Sequence, residues 1–391
     1  MRASEILQRK FQADLVGVHL ARIQVVFAAV FTALRCSQLS LTALGRAIAE
    51  RTTHKHGIKR VDRLLGNARL HEQRFVFYRA IARRVIAAGS TPLIIIDWTA
   101  VTPKLWALVA AVSFQGRALT VYAETHPISR YLKPSVNAAF LERLKSVLPP
   151  ACLPVVVADA GFRSPFMKLV LHLGWDYVIR LRGPARIRRK RGRGWARLPV
   201  YFGLTGRRPK DLGVVEIGQR TRFVTRLVGV HRPTRHRKYH ARQRHGAVIW
   251  RERRSAKEPW IIATSLKVAS TRVVAIYTRR MQIEETFRDT KSPRFGMSLG
   301  HARPRLEHRA DVLLLLASLA HLFALLLGIA AEAANLHRGY QANTVRTKRV
   351  LSLVMLGRFL FASGNEAVLA TGVTDEAWSS FQVRVREGFA F

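Results

Sequence analysis

The sequence is short of acid and of cysteine. Its 391 residues carry 24 Asp and Glu against 66 Lys and Arg, a formal net charge of +42. That excess is far more than solubility needs and implies a polyanionic partner, nucleic acid first and an anionic membrane surface second. The two cysteines, Cys36 and Cys152, lie far apart and outside any CxxC or Cys/His cluster. Neither a zinc site nor a disulfide framework is therefore indicated, and a reducing cytoplasm fits. The N-terminal MRASEILQRKFQADL lacks the apolar core and small-residue cleavage site of a signal peptide, so export is not expected. Internal repeats are missing as well. Long apolar runs are rare: VLLLLASLAHLFALLLGIAA, Val312 to Ala331, is long enough to cross a bilayer and has His321 as its one strongly polar residue. A single span this late would leave the large basic charge unexplained, so the run is read as a buried helix of a large α/β core, with no membrane contact.

What is present is enough apolar material, 49% of residues, for a sizeable core and two or three domains. Helical spacing dominates residues 1–88, as in LTALGRAIAERT and VDRLLGNARLHEQRFVFYRAIARRVIAA. Between these lies HKHGIKR, with Gly57 as the expected turn of a small helical DNA-binding region. The pattern changes at Pro92. LIIID reads as a buried strand, and LWALVAAVSF and ALTVYAE read as a hairpin closed around Gly116. A helix at AAFLERLKSVL, a strand at LPVVVAD, a helix at SPFMKLVLHLG and a strand at WDYVIRLRG follow. Three strands, helix, strand, helix, strand predicts an α/β fold with an RNase H-like mixed-sheet core.

The expected organisation is a helical region at 1–88, a first part of the core at 89–184, a basic β-rich insertion at 185–258, the second part of the core at 259–335 and a helical C-terminal region at 336–391. Residues 180–257 hold 25 Lys or Arg against three acids. So many like charges repel unless a polyanion neutralises them, which favours phosphate contact over a bland solvated face.

One stretch concentrates chemistry. In YTRRMQIEETFRDTK, residues 277–291, read as one helix, Arg280, Glu284 and Lys291 fall within about 60° of Tyr277. Glu285 and Asp289 fall outside that face and are read as solubilising residues. Alone, the stripe reads as a solvated surface with an Arg280–Glu284 pair. Two further carboxylates shift the balance: LIIID ends in Asp97 and LPVVVAD ends in Asp159. Asp97, Asp159 and Glu284 make three hard oxygen ligands of the kind that hold Mg²⁺, and two such ions can activate a water and stabilise the leaving oxygen of a phosphodiester. Arg280 and Lys291 can then hold phosphate nearby.

At these residues the sequence resembles the DDE transposases of the bacterial insertion sequence four family. Tyr277, Arg280, Glu284 and Lys291 fit that family's Y-x2-R-x3-E-x6-K without a gap, and Asp97 in IIIDWT and Asp159 in VADAGFRSP match its other two acids. The resemblance implies a cut-and-paste transposase with catalytic, metal-binding Asp97, Asp159 and Glu284. It implies two Mg²⁺ ions, with Mn²⁺ able to substitute, and phosphate contacts from Tyr277, Arg280 and Lys291. Double-stranded DNA, as element ends and target, is the implied partner, with a homodimer in the synaptic complex and the bacterial cytoplasm as location. It also offers Trp260 of WIIAT as a platform for a flipped base, against the alternative of a buried tryptophan at a strand start. Further expected DNA contacts are Arg288 and Arg294 beside the signature and Lys55, Lys59, Arg60 and Arg63 in the N-terminal region, with phosphate the safer target for each. His54, His56 and His321 lack metal-site spacing and are read as structural or solvent-facing. The competing readings are a structure-directed nuclease on the same core and a non-catalytic DNA-binding derivative.

Overall fold

The computed structural model describes residues 3–49, 52–183, 185–189, 192, 194–232, 258–294, 296–342, 344–345, 348–365 and 371–389. The chain forms two compact units, unit 1 of Met1–Cys152 with Met281–Phe391 and unit 2 of Leu153–Arg280.

Unit 1 opens with five helices: α1 (Ala3–Gln12), α2 (Leu20–Cys36), α3 (Leu41–Ala47), α4 (His54–Leu65) and α5 (Ala68–Val85). Ser40, Thr53 and Asn67 cap α3, α4 and α5 by accepting backbone N–H groups two or three residues into each helix. Gly57, expected as a turn, is instead inside α4. A Cβ at Gly57 would lie 2.0 Å from the Gly45 carbonyl oxygen, so the glycine serves the close approach of α4 to α3 and not a bend.

Strands β1 (Leu93–Ala100), β2 (Leu105–Phe114) and β3 (Arg117–Pro127) follow in the spatial order β3-β2-β1, every pairing antiparallel. The expected hairpin turn falls on Gln115 and Gly116, both with positive φ (37° and 84°). That is the two-residue turn whose twist suits flanking strands. β1 runs three residues past Asp97, because DWTA continues the alternation and pairs with β2 through Ala100. Asp97 is therefore a mid-strand residue and not a strand end. Helix α6 (Pro134–Val147) comes next.

Unit 2 contains β4 (Val155–Ala158), α7 (Ser164–His172), β5 (Asp176–Leu181), β6 (Arg186–Arg189), β7 (Ala196–Arg197), β8 (Lys210–Ile217), β9 (Phe223–Val230), β10 (Trp260–Thr264) and α8 (Ser270–Thr278). β4, buried along its whole length, runs parallel to β5, and the order β4-β5-β10-β9-β8-β6-β7 is otherwise antiparallel. The element order is thus the expected three strands, helix, strand, helix, strand, in a mixed α/β fold. Of the basic insertion expected at 185–258, β6 to β9 are strands, and residues 233–257 lie outside the described residues.

The chain returns to unit 1 with α9 (Met281–Lys291), α10 (Leu299–Ala302), α11 (Glu307–Ala333), α12 (Leu353–Ala362) and α13 (Thr371–Phe389). α11 is the apolar run, and it is buried on all sides from Ala310 to Ala331. Its Phe323 meets Phe11, Phe27 and Phe31 at 5.9, 5.6 and 5.7 Å between ring centroids. Each such side chain contributes roughly 1.5–3 kcal/mol of burial. α12 packs on α11 so closely that a Cβ at Gly357 would lie 1.8 Å from the Ala324 carbonyl oxygen. His321 of α11 is buried, and burial pulls its imidazole down to about 4, so it is a neutral core residue.

Candidate active site

The stretch 277–291 is two helices and not one. α8 ends at Thr278, Arg279 and Arg280 form a turn, and α9 starts at Met281. The first belongs to unit 2 and the second to unit 1.

In unit 1, α9 is fastened to the β2–β3 hairpin by polar groups. The Gln282 side-chain oxygen accepts from the Ser113 hydroxyl (2.9 Å) and the Phe114 N–H (3.1 Å). The Thr286 hydroxyl accepts from the Ala118 N–H (2.8 Å) and donates to the Ala118 carbonyl (2.7 Å). Asp289, only 7% exposed, takes the Arg117 Nε–H at 2.5 Å. Asp289 is therefore a buried docking residue, not a solubilising one. Glu285 remains a surface residue, paired with Arg288 and 3.7 Å from Arg117.

Gln282, Thr286 and Asp289 define one face of α9, and Glu284, Arg288 and Lys291 fall about 180–240° from Gln282, on the other side. Glu284 is exposed. Lys291, at the end of the helix, donates to the Thr99 hydroxyl and lies 5.5 Å from the centroid of the Phe287 ring. Thr99 shares the β1 face of Asp97, two residues earlier. Burial lowers the Lys291 ammonium to about 8, and the Asp97 charge works against that fall. The Asp97 carboxylate also accepts the Trp98 N–H at 2.8 Å. Asp97, Thr99 and Lys291 thus form a coupled group, in which sequence reasoning missed Thr99. The period of two along IIIDWT was the signal that could have found it.

In unit 2, Asp159 follows β4 directly, as expected, and its Oδ1 accepts the Gly161 N–H at 2.8 Å. It lines a cavity of about 620 Å³ together with Arg163, Arg182, Arg186 and Glu258. Tyr277, near the end of α8, is buried with its ring edge-on to Trp260, centroids 5.0 Å apart at 77°. Burial raises the Tyr277 hydroxyl, Arg280 and Arg180 oppose the rise, and Asp159 adds to it. Arg180 itself is lowered by burial, and one of its terminal nitrogens donates to the Glu258 carbonyl at 3.3 Å. Asp159, Tyr277, Arg180 and Arg280 therefore share one electrostatic field. Arg180 was missed, although a charged residue inside the buried run YVIRL is a readable sign. Trp260 is half-buried, with the Arg232 guanidinium 5.3 Å from its ring centroid.

Lys55, Lys59, Arg60 and Arg63 are all exposed on α4, and Arg294 is exposed beyond α9. Arg288 is exposed and paired with Glu285. His54 and His56 are exposed in the first turn of α4, where the His56 ring meets the Thr53 hydroxyl at 3.1 Å. Among the described residues, no three His, Cys, Asp or Glu side chains form a group that could hold a metal ion.

A family model described as "Transposase DDE domain" matches residues 88–323. The matched span runs from just before β1 into α11 and includes Asp97, Asp159 and Glu284. No curated protein matches the chain. With more than half of its length matched, the chain belongs to the Transposase DDE domain family, DNA-transposing enzymes with an RNase H-like domain that use divalent metal ions, generally Mg²⁺.

Proposed function

We propose that the chain is a cut-and-paste transposase of the insertion sequence four type. It binds the terminal inverted repeats of its element, cuts the ends by metal-assisted phosphoryl transfer through hairpin intermediates, and joins the freed 3′-OH ends to target DNA. The observation that carries this reading is the family match, whose span holds Asp97, Asp159, Tyr277, Arg280, Glu284 and Lys291 together. The blocks LTALGR, IKRVDRLLGN, DAGFRSP, RRMQIEETFRDTKSP and YQANTVR add to it, since they resemble, in the same order, the transposase of insertion sequence ten.

Asp97, Asp159 and Glu284 are the proposed ligands of two Mg²⁺ ions, with Mn²⁺ able to substitute. Three carboxylates without thiolate or imidazole are a donor set for hard cations. Bound there, the metal supplies activation of a water or 3′-OH and charge stabilisation of the leaving oxygen. Lys291 places a positive charge beside Asp97, and its bond to Thr99 fixes that charge for a phosphate oxygen. Tyr277 and Arg280 offer further donors to the same backbone. Trp260 is the proposed platform for a flipped base, while Arg288, Arg294, Lys55, Lys59, Arg60 and Arg63 contact phosphates. A homodimer holds the two ends of one element together.

Purified protein given Mg²⁺ and a labelled repeat-ended duplex is expected to yield a hairpin product. Asp97→Ala, Asp159→Ala and Glu284→Ala each stop cutting and leave binding measurable. If Glu284→Ala cuts normally and Glu285→Ala does not, the assignment on α9 is wrong. Equal cutting of DNA without the repeats would favour the structure-directed nuclease.

A further inference from the structure

Three large rings and a histidine gather at one end of the unit 1 strands. Trp98 of β1 stands 5.7 Å from His126 of β3 and 5.4 Å from Tyr131, and Trp106 of β2 stands 4.7 Å from Tyr131. Trp98 and His126 are buried, Trp106 is half-buried, and Tyr131 keeps 40% of its surface exposed beside Ile128 at 50%. Aromatic and apolar surface is thus graded from core to solvent, and Tyr131 is the most exposed of its rings.

The loops that carry this layer are tied together. The Ile128 N–H donates to the Lys104 carbonyl (2.9 Å), the Tyr131 N–H to Ile128 (3.0 Å) and the Lys133 N–H to Arg130 (3.2 Å). Leu132, next to Tyr131, is held at φ 56°, a left-handed conformation that costs a branched residue strain. Behind the rings, Glu124 takes bonds from Tyr122 (2.6 Å), His126 (2.8 Å) and Arg143 (2.7 and 2.9 Å), which fixes His126 and neutralises the nearest acid.

Charge supplies the second observation. Lys104, Arg130 and Lys133 are exposed around Tyr131, and residues 98–106 and 126–135 contain no Asp or Glu. Cations alone would suit any DNA backbone. A ring that is 40% exposed and packed on two tryptophans adds aromatic surface, and an unpaired base presents a complementary face that bases inside a duplex do not, since those are covered by their neighbours. The alternation of β1 puts Trp98 on the sheet face opposite Asp97. Within unit 1 this surface is therefore distinct from Asp97.

We propose that Tyr131, backed by Trp98 and Trp106 and rimmed by Lys104, Arg130 and Lys133, is a stacking platform for an unpaired DNA base whose flanking phosphates the three cations hold. The proposal rests on the reading of the chain as a DNA-cutting transposase. The unpaired base comes either from a strand continuous with the element end or from separate target DNA.

The test measures binding of full-length protein to a single-stranded oligonucleotide, the same oligonucleotide with abasic positions, and a blunt repeat-ended duplex. Wild type should bind the base-bearing strand roughly tenfold more tightly than the abasic one, with quenching of tryptophan fluorescence. Tyr131→Ala should lose that preference, Tyr131→Phe should keep it, and Lys133→Ala should lower the salt slope on the single strand by about 0.7. Binding of the blunt duplex should be unchanged by Tyr131→Ala and by Tyr131→Phe, because its interior bases stay paired. Attaching the unpaired stretch to the repeat-ended duplex, or supplying it separately, tells the two sources apart. Equal affinity of wild type for base-bearing and abasic strands overturns the proposal without needing a variant, and would leave the ring layer as a protein contact. Failure of wild type to cut the repeat-ended duplex would instead count against the transposase reading.

Discussion

The two strand aspartates sit in opposite surroundings. Asp97 of unit 1 lies within a strand and shares its field with one buried amine, Lys291, which Thr99 holds. Asp159 of unit 2 lies at a strand end on a wide cavity lined by Arg163, Arg182 and Arg186, and shares its field with Tyr277, Arg180 and Arg280. An amine can be discharged by its environment, whereas a guanidinium stays charged throughout the working range. The comparison teaches that pH acts on the surroundings of Asp97 and that salt acts on those of Asp159.

The largest expected effect breaks the Asp97 side at its support. α9 is held by Arg117–Asp289, so Asp289→Ala removes the short bond of a largely buried guanidinium and leaves it only the longer approach to Glu285. A loss of about 3 kcal/mol in unfolding free energy is expected, with reduced cutting. Glu285→Ala removes a partly exposed pair with Arg288 and a 3.7 Å approach to Arg117, and is expected to cost under about 1 kcal/mol. Denaturant titration of both variants checks the difference, and equal losses would mean that α9 is not docked through Asp289.

Asp289 also shows where local pattern runs out. Its burial depends on Arg117, 172 positions away, which no helical period reveals. Gly57 misleads for the same reason: the close approach of Gly45 makes it a helix residue, while its sequence neighbours suggest a turn. Asp97 was found as a carboxylate, but its place in the strand was not, because β1 is extended by pairing with β2. By contrast Asp159, the Gln115–Gly116 hairpin and the burial of α11 were legible. Each is set by local backbone preference or by the sheer apolar content of one segment.

A second effect, of order 3 kcal/mol, comes from Lys291. Its folded value of about 8 lies below the ordinary 10.5, so the fold penalises the charged form. Below about pH 8 both folded and unfolded chains hold the proton, and the fold bears the full penalty. Between about 8 and 10.5 the unfolded chain binds more protons, and stability rises with pH. Lys291→Met should therefore raise stability at pH 7 and flatten that rise in a series of melting curves. Binding of repeat-ended DNA by the wild type should weaken as pH rises through about 8. Lys291→Arg, which cannot discharge, should remove this weakening.

The smallest effects sharpen the other side. Arg163, Arg182 and Arg186 each offer a fixed charge to the cavity that Asp159 lines, so a phosphate contact from any one of them contributes independently of pH. Replacing Arg186 by Ala should weaken duplex binding by roughly tenfold at moderate salt and lower the slope of log affinity against log salt by about 0.9. The variant's pH profile should remain parallel to that of the wild type, because no titrating group has been removed. Arg182→Ala is less clean, since Arg182 approaches Glu258 at 3.6 Å and part of its charge is already answered. A smaller slope change for Arg182→Ala than for Arg186→Ala is therefore expected. An unchanged slope in both would show that the cavity beside Asp159 does not carry the DNA backbone, and the contrast between the two aspartates would then reduce to Lys291 alone.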